Sequence, residues 1–285
     1  MKNIPVRQIK ATAKEAPIFD GFSIRDVSVL LDGKDMVQEL HRHDFFYILA
    51  LKKGAGRHEI DFVPYDVHDH AVFVMRPGQV HQHTLKARSA GYLIEFKPDF
   101  YHPHDKVSAQ PLRKASAVNW HPLDASRFNK LFPLLTYIFE EYTEKQEGYG
   151  EVIKANLGIF FIELVRQNSK PPSTPVNSYA QERLEDFLEL LETHIASHKQ
   201  VADYGEMMNL SPYQLNAITK ATLGKTCSEL INEHIILESK RYLLATSNQV
   251  NQVAYHLGYE DVSYFIRFFK KHTGHSPEAF RHNFR

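Results

Sequence analysis

The sequence predicts a two-domain α+β protein, in which an antiparallel β-barrel with a helical hairpin precedes an all-α domain carrying two helix-turn-helix motifs. Three observations lead there. Short β-rich runs fill Phe22 to Phe96, the apolar spacing turns helical from Ser126, and the chain beyond a proline-rich stretch repeats itself approximately at an offset of 50 residues.

The barrel comes first. The runs "FSIRDVSVLL", "FFYILALK", "HEIDFV", "HAVFVM" and "GYLIEF" concentrate Val, Ile, Phe and Tyr, and several alternate. Gly54/Gly56, Pro64 and Pro77-Gly78 break them at the spacing of an antiparallel barrel or sandwich. This assigns residues 1–125 to the barrel. Residues 126–168 read as a helical hairpin: Leu131, Leu134, Leu135, Ile138 and Tyr142 form one apolar stripe, Ile153, Leu157, Phe160, Phe161 and Leu164 another, and "EKQEGYG" makes the turn. Pro133 lies inside the first stripe, so that helix either starts near it or is kinked there. Such a hairpin can cover the barrel with one face and pair with a second copy of the chain through another. The stretch "SKPPSTPVNSYAQ", 169–181, combines three prolines with polar residues and suits a linker. Residues 182–285 lack strand patterning and read as a run of short helices.

Composition sets the outer limits. A chain of 285 residues, 43% hydrophobic, is long enough for two cores. No apolar stretch approaches the ~20 residues of a membrane span, and the polar start Met1 to Lys10 is unlike a signal peptide, so a cytoplasmic protein without membrane contact is expected. The single cysteine, Cys227, excludes an internal disulfide or thiolate cluster within one chain and reads as a packing residue. Lys plus Arg and Asp plus Glu both number 34, so bulk charge selects neither nucleic acid nor membrane, and any nucleic-acid surface has to be local.

The repeat is the most informative feature. "MNLSPYQLNAITKATLG" lies over "GYEDVSYFIRFFKKHTG", which sets Leu215 on Phe265, Ile218 on Phe268, Lys220 on Lys270 and Gly224 on Gly274. A short helix precedes each copy, "VADYGEMM" and "VNQVAYHL", and a tight polar turn follows it, which is the helix-turn-helix arrangement. Ser211 and Asp261 are the expected N-caps, with Pro212 at the first helical position. An ordinary bundle of short helices could imitate one such motif, but two copies in register make that reading poor. With Phe265, Phe268 and Phe269 inward, Ser263, Tyr264, Arg267, Lys270 and Lys271 share one side of a short helix. Tyr213, Gln214, Asn216 and Lys220 correspond in the first copy. Arg can grip guanine in a fork, Gln and Asn pair with adenine, and Lys and hydroxyls hold phosphates.

On these residues the chain resembles the AraC/XylS family of bacterial transcription regulators. "VAYHLGYEDVSYFIRFFKKHTGHSPEAFR", 253–281, follows that family's signature at nearly every position, and "LSPYQL", "LGKT" and "SKRYLL" resemble its first helix-turn-helix and the long helix joining the two. The resemblance covers about Leu184 to Arg285 and implies two recognition helices in successive major-groove segments of double-stranded DNA, about one turn apart. Ala217 and Thr219 stand where the family usually has Arg and Phe, His234 replaces the usual arginine of the connecting helix, and Val262 replaces Pro or Gln. The second copy is therefore expected to carry more of the affinity. From Lys199 to Arg285 the chain has ten Lys/Arg against eight Asp/Glu, a weak balance for a nucleic-acid binder that makes a homodimer attractive.

In the N-terminal part, "HRHDFFYI" places His41 and His43 at i and i+2 of a strand, on one face, and "RPGQVHQH" repeats that spacing with His81 and His83. The pair of motifs resembles the cupin barrel, and more closely the cupin-like sensor domain found ahead of the DNA-binding region in many AraC-type regulators. The glutamate of metal-binding cupins is missing, its places being held by Phe46, Tyr47 and Ile48. His41, His43 and His81 remain metal candidates by spacing, but the preferred reading has no metal or other cofactor. It makes His41, His43, His81 and His83 a pocket wall, with Tyr47 and Arg57 orienting an anionic or hydroxylated ligand. His58, His68 and His70 are expected at the surface. The leading expectation is a non-enzymatic, effector-responsive regulator, commonly an activator that would engage RNA polymerase. The alternative is a metal-dependent cupin enzyme or metal sensor fused to a DNA-binding domain.

Overall fold

The computed structural model describes residues 6–7, 9, 21–101, 106–168 and 178–284. Two compact units emerge, one spanning Val6–Pro171 and the other containing Pro172–Arg285.

The first unit holds strands β1 (Val6–Arg7), β2 (Phe22–Asp26), β3 (Met36–His43), β4 (Phe46–Lys53), β5 (Gly56–Ile60), β6 (Val63–Val67), β7 (Ala71–Met75), β8 (Val80–Leu85), β9 (Ala90–Phe96) and β10 (Trp120–Pro122). They form two five-stranded sheets, ordered β1-β3-β8-β5-β6 and β10-β7-β4-β9-β2, antiparallel except for the β1–β3 pair. The expected barrel is thus two sheets whose inner faces pack together, with no hydrogen-bonded ladder joining them among the described residues. Strands β4 and β7 are apolar at consecutive positions because both faces of their sheet are covered. Tyr47, Leu49, Leu51, Phe73 and Met75 pack inward with residues of the other sheet. Ile48, Ala50, Val72 and Val74 pack outward against helices α2 (Lys106–Ser116), α3 (Ala125–Glu144) and α4 (Tyr149–Asn168). The β3-β8 sheet instead alternates buried and solvent-facing residues, as its strand "VHQHTL" shows with Gln82 exposed between His81 and His83.

The hairpin forms as the stripes require. Phe128, Leu131, Leu135 and Ile138 of α3 and Ile153, Leu157, Phe160, Phe161 and Leu164 of α4 are buried on the sheet, while Leu134 and Tyr142 are half-buried. Pro133 is interior to α3 and does not start it; Asp124 caps the helix eight residues further back than that reading required, its carboxylate accepting from Arg127 N at 2.8 Å. Only Phe22–Asp26 of "FSIRDVSVLL" is strand. The Asp26 carboxylate accepts from Ser28 N and Val29 N at 2.7 and 3.2 Å and opens helix α1 (Val27–Leu31), so a local cap overrides the β-propensity of Val and Leu. Helix α2 went unread in the sequence.

The second unit is all-α: α5 (Ser178–His194), α6 (Val201–Met208), α7 (Pro212–Leu223), α8 (Cys227–Ala245), α9 (Val250–His256), α10 (Val262–Thr273) and α11 (Pro277–Phe284). Of the expected linker, 169–177 lie outside the described residues and Ser178–Gln181 form the first turn of α5. Helix α8 runs through the centre and buries Cys227, Ile231, Ile235, Tyr242 and Leu243. Arg281 ties α11 to its far end, donating to the carbonyls of Leu243 at 2.8 Å and Asn248 at 2.5 Å. Tyr204 of α6 is buried against Phe187 of α5 and donates to His198 O at 2.8 Å; burial raises its phenol to about 12. Among the described residues no helix is long and apolar enough to cross a membrane.

Candidate functional site

Helices α6 and α7 make the first helix-turn-helix, and α9 and α10 the second. Asn209, in the left-handed region at φ 53°, turns the chain before Ser211, whose hydroxyl accepts from Gln214 N at 3.2 Å. Asp261 does the same for α10, accepting from Ser263 N at 2.7 Å. These caps orient each recognition helix by satisfying backbone N–H groups of its first turn. On α10 Phe265 and Phe269 are buried and Phe268 half-buried, while Ser263, Tyr264, Arg267, Lys270 and Lys271 are all exposed. Arg267 has only a loose contact with Asp261 at 3.8 Å and keeps 69% of its side chain in solvent, so its guanidinium is available to a partner.

Helix α7 offers less than the sequence suggested. Tyr213 is 83% exposed and Lys220 exposed. The Asn216 amide, however, is spent inside the fold, Nδ2 donating to Pro212 O and Oδ1 accepting from Cys227 N, both at 2.9 Å. It joins α7 to the start of α8 and is not turned to an outside partner. Gln214 is exposed but its Oε1 closes the capping box, accepting from Ser211 N and Oγ at 2.9 Å each.

In the first unit the expected histidines converge between the sheets. The β3/β8 register sets His41 opposite His81, and the β5/β8 register sets His58 opposite His83 and Ile60 opposite His81. All five imidazoles are buried, each at most 6% exposed. His81 is the hub: its Nε2 lies 2.7 Å from His43 Nε2 and 3.0 Å from His41 Nε2, and its Nδ1 lies 2.8 Å from His58 Nε2. The Tyr47 ring stacks on His43 at 5.4 Å and meets His81 edge-on at 5.1 Å. Burial, reinforced by the neighbouring imidazoles, holds His58 and His81 well below the usual histidine range, so both rings are neutral.

A cavity of about 270 Å³ opens beside this cluster, lined by His41, His43, His83, Tyr47 and Gln38, by the apolar Leu30, Met36, Phe45 and Leu93, and by Arg25 and Glu95. Arg25 donates to Glu95 at 2.6 Å, with the carboxylate side chain 7% exposed. The volume sits at the low end of the ~300–1,000 Å³ usual for small-molecule sites, and the mixture of apolar wall and convergent polar groups suits a small polar molecule.

Two expectations fail here. Arg57 is exposed on the solvent side of β5, and His58, expected at the surface, is fully buried in the cluster. Successive strand residues point to opposite faces, so one of the two had to be inside. His68 is exposed as expected, and His70 is half-buried with its ring 5.2 Å from Phe128. Arg25, Gln38, Phe45 and Glu95 were missed as lining residues. Glu95 had a readable signal, a lone carboxylate in the otherwise apolar strand "GYLIEF".

Comparison with known proteins agrees with both halves. A family model described as an AraC-like ligand binding domain matches residues 32–104, and one described as a helix-turn-helix domain matches 204–283, together more than half of the chain. The HTH-type transcriptional activator RhaS of Escherichia coli O157:H7 is 24% identical over 246 residues, covering 85% of this chain and 86% of its own. RhaS of Escherichia fergusonii is 23% identical over 270 residues, covering 92% and 95%. Among solved structures, ToxT from Vibrio cholerae aligns over 92% of this chain and 98% of its own at 14% identity and a TM-score of 0.43. The C-terminal domain of AraT, a response regulator from Geobacillus stearothermophilus, aligns over 35% and 84% at 24% identity and a TM-score of 0.34. A ligand-binding domain followed by a paired helix-turn-helix defines a DNA-binding transcription regulator that answers to a small molecule. The chain belongs to the AraC/XylS family of such regulators.

Proposed function

We propose that this protein is a homodimeric transcription activator whose cavity holds a small polar effector and whose α10 supplies most of the base contacts. The supporting observation is the outward set of α10, in which Arg267, Lys270, Lys271, Ser263 and Tyr264 are exposed together while the aromatic side of the helix is buried. Tyr213, Gln214 and Lys220 add the contacts of α7, and Asn216 supports that helix from within. Activation is the role named for the RhaS relatives, and an activator of this kind would engage RNA polymerase. Dimerisation is supported by the solvent side of the hairpin, where Ile159 and Ile162 of α4 are 49% and 39% exposed one helical turn apart. An effector that binds two arrangements of the first unit unequally would shift the placement of two DNA-binding domains and so promoter occupancy.

The deciding experiment is binding to the DNA upstream of the protein's own gene. Arg267→Ala lowers specific affinity by ~1–3 kcal/mol and relaxes base preference at one position, whereas Lys271→Ala weakens all sequences alike and lowers the salt slope by ~1. An unchanged footprint with Arg267→Ala removes α10 from the role given to it. Ile159→Glu with Ile162→Glu yields monomer in sedimentation if α4 is the dimer contact.

A further inference from the structure

The two recognition helices are one device built twice. Pro212–Leu223 and Val262–Thr273 are each 12 residues long. Leu215 N donates to Ser211 O at 3.0 Å at the start of one, and Phe265 N to Asp261 O at 3.2 Å at the start of the other. Each stops on a left-handed glycine, Gly224 at φ 70° and Gly274 at φ 80°, whose N–H returns to the carbonyl of Lys220 or Lys270. Residues 50 apart in the sequence therefore hold the same place on their helices. Lys220 matches Lys270, but Ala217 stands at the place of Arg267 and Ala221 at that of Lys271, all of them exposed.

A base edge is told apart through hydrogen bonds or through the methyl of thymine, and α7 has little left for the first. Asn216 turns its amide inward to Pro212 O and Cys227 N. Both lone pairs of Gln214 Oε1 are taken by Ser211, so this side chain lacks the acceptor that adenine's amine requires beside a donor. The Tyr213 hydroxyl both donates and accepts and so singles out no base. What the middle of α7 turns outward is the Ala217 methyl, where α10 turns out a guanidinium.

We propose that Ala217 is a specificity-determining residue that reads one thymine through its 5-methyl group, at the place where Arg267 of α10 reads a guanine. The assignment rests on the reading that both helices enter the major groove of DNA. Cytosine presents an amine and no methyl at that edge and a purine presents N7, so thymine alone shields the alanine methyl from water with an apolar partner. Burial of one such group is worth a factor of ~4 in affinity. A forked Arg–guanine pair discriminates by ~5–150-fold. The binding site is thus stringent under α10 and permissive under α7.

The full-length chain selects its site from a pool of random duplexes, and the selected site is rebuilt with single thymines replaced by deoxyuridine, which removes the 5-methyl and keeps the base pair. One such change should lower wild-type affinity by ~3–5-fold, and the loss should vanish in Ala217→Gly, which has no methyl to cover. If glycine lowers the helix content seen by circular dichroism, Ala217→Ser makes the same test. Arg267→Ala should leave the thymine-to-uracil ratio at that position unchanged while flattening the guanine preference elsewhere in the site. Ala217→Arg should move the preference at the same position from thymine to guanine. A ratio of one at every thymine, a ratio that survives Ala217→Gly and Ala217→Ser, or thymine retained by Ala217→Arg overturns the role of Ala217. Any of these with sequence-specific binding intact leaves the regulator reading standing, whereas a chain that selects no sequence overturns both.

Discussion

Gly258, in the turn between α9 and α10, should be the least replaceable glycine of the DNA-binding unit. Its φ is +73°, and a Cβ built there would lie 1.7 Å from Ala196 O and 2.8 Å from Lys199 Nζ. Gly224, which ends α7, has nearly the same conformation at φ +70° but nothing within 4 Å of the added carbon. Alanine at either position meets the left-handed backbone cost of roughly 1–2 kcal/mol. At Gly258 it must also push the Ala196 carbonyl from 1.7 Å to beyond 3.0 Å. That displaces the segment joining α5 to α6 and disturbs Lys199, whose ammonium donates to Ala196 O at 2.9 Å and Gly258 O at 3.3 Å and lies 5.1 Å above the Tyr259 ring. Each of those contacts is worth about 0.5–1 kcal/mol. The total is ~2.5–5 kcal/mol for Gly258→Ala, against ~1–2 for Gly224→Ala.

Urea unfolding of the full chain separates the two. The single tryptophan, Trp120, belongs to the first unit and reports it by fluorescence, while circular dichroism follows the helices of both units, so a helical transition not shared with Trp120 belongs to the second. Gly258→Ala should lower the helical transition well below that of Gly224→Ala and leave the Trp120 transition in place. Equal destabilisation by the two substitutions would refute the close contact with Ala196.

Other substitutions probe other parts. Asn216→Ala should cost ~1–3 kcal/mol in thermal unfolding, since two hydrogen bonds are lost, and should leave the order of preference among DNA sequences unchanged. Glu95→Ala, which strips the partner from a mostly buried guanidinium, should cost ~1–3 kcal/mol in Trp120-monitored unfolding, while Arg57→Ala on the solvent side should stay within ~0.5. Leu157→Ala removes a fully buried side chain between hairpin and sheet and should cost ~2–5 kcal/mol by the same measurement.

What the sequence revealed follows from which interactions are local. Helical periodicity in the hairpin and the two capped recognition helices depend on neighbours three or four residues apart, and both were legible down to Ser211 and Asp261. The N-cap at Asp26 was equally local, but the Val and Leu that follow it favour strands, so the short helix α1 was hidden. Whether ten strands close into one barrel or stay as two sheets depends on pairings between residues far apart, such as Phe22 with Phe96 or Gly56 with Leu85, which no local pattern encodes. The family signature carried fold-level information about the second unit, yet it did not distinguish Asn216, bound to the start of α8, from Tyr213, which stands in solvent.

The histidine cluster shows where a stricter reading of the same residues would have succeeded. In "GRHEIDF" the buried partner of the strand is Ile60, and a strand that buries Ile60 must bury His58 and turn Arg57 and Glu59 to the other face, where Arg57 is exposed and Glu59 half-buried. Choosing Arg57 as the inward residue placed a charge where alternation required an imidazole. Strand β8 then explains why the error mattered: lying between β3 and β5, it brings His81 opposite His41 on one side and next to His58 on the other. A pair of two-histidine motifs thus becomes a cluster of five, because the strand supplying the second motif is hydrogen-bonded to two others.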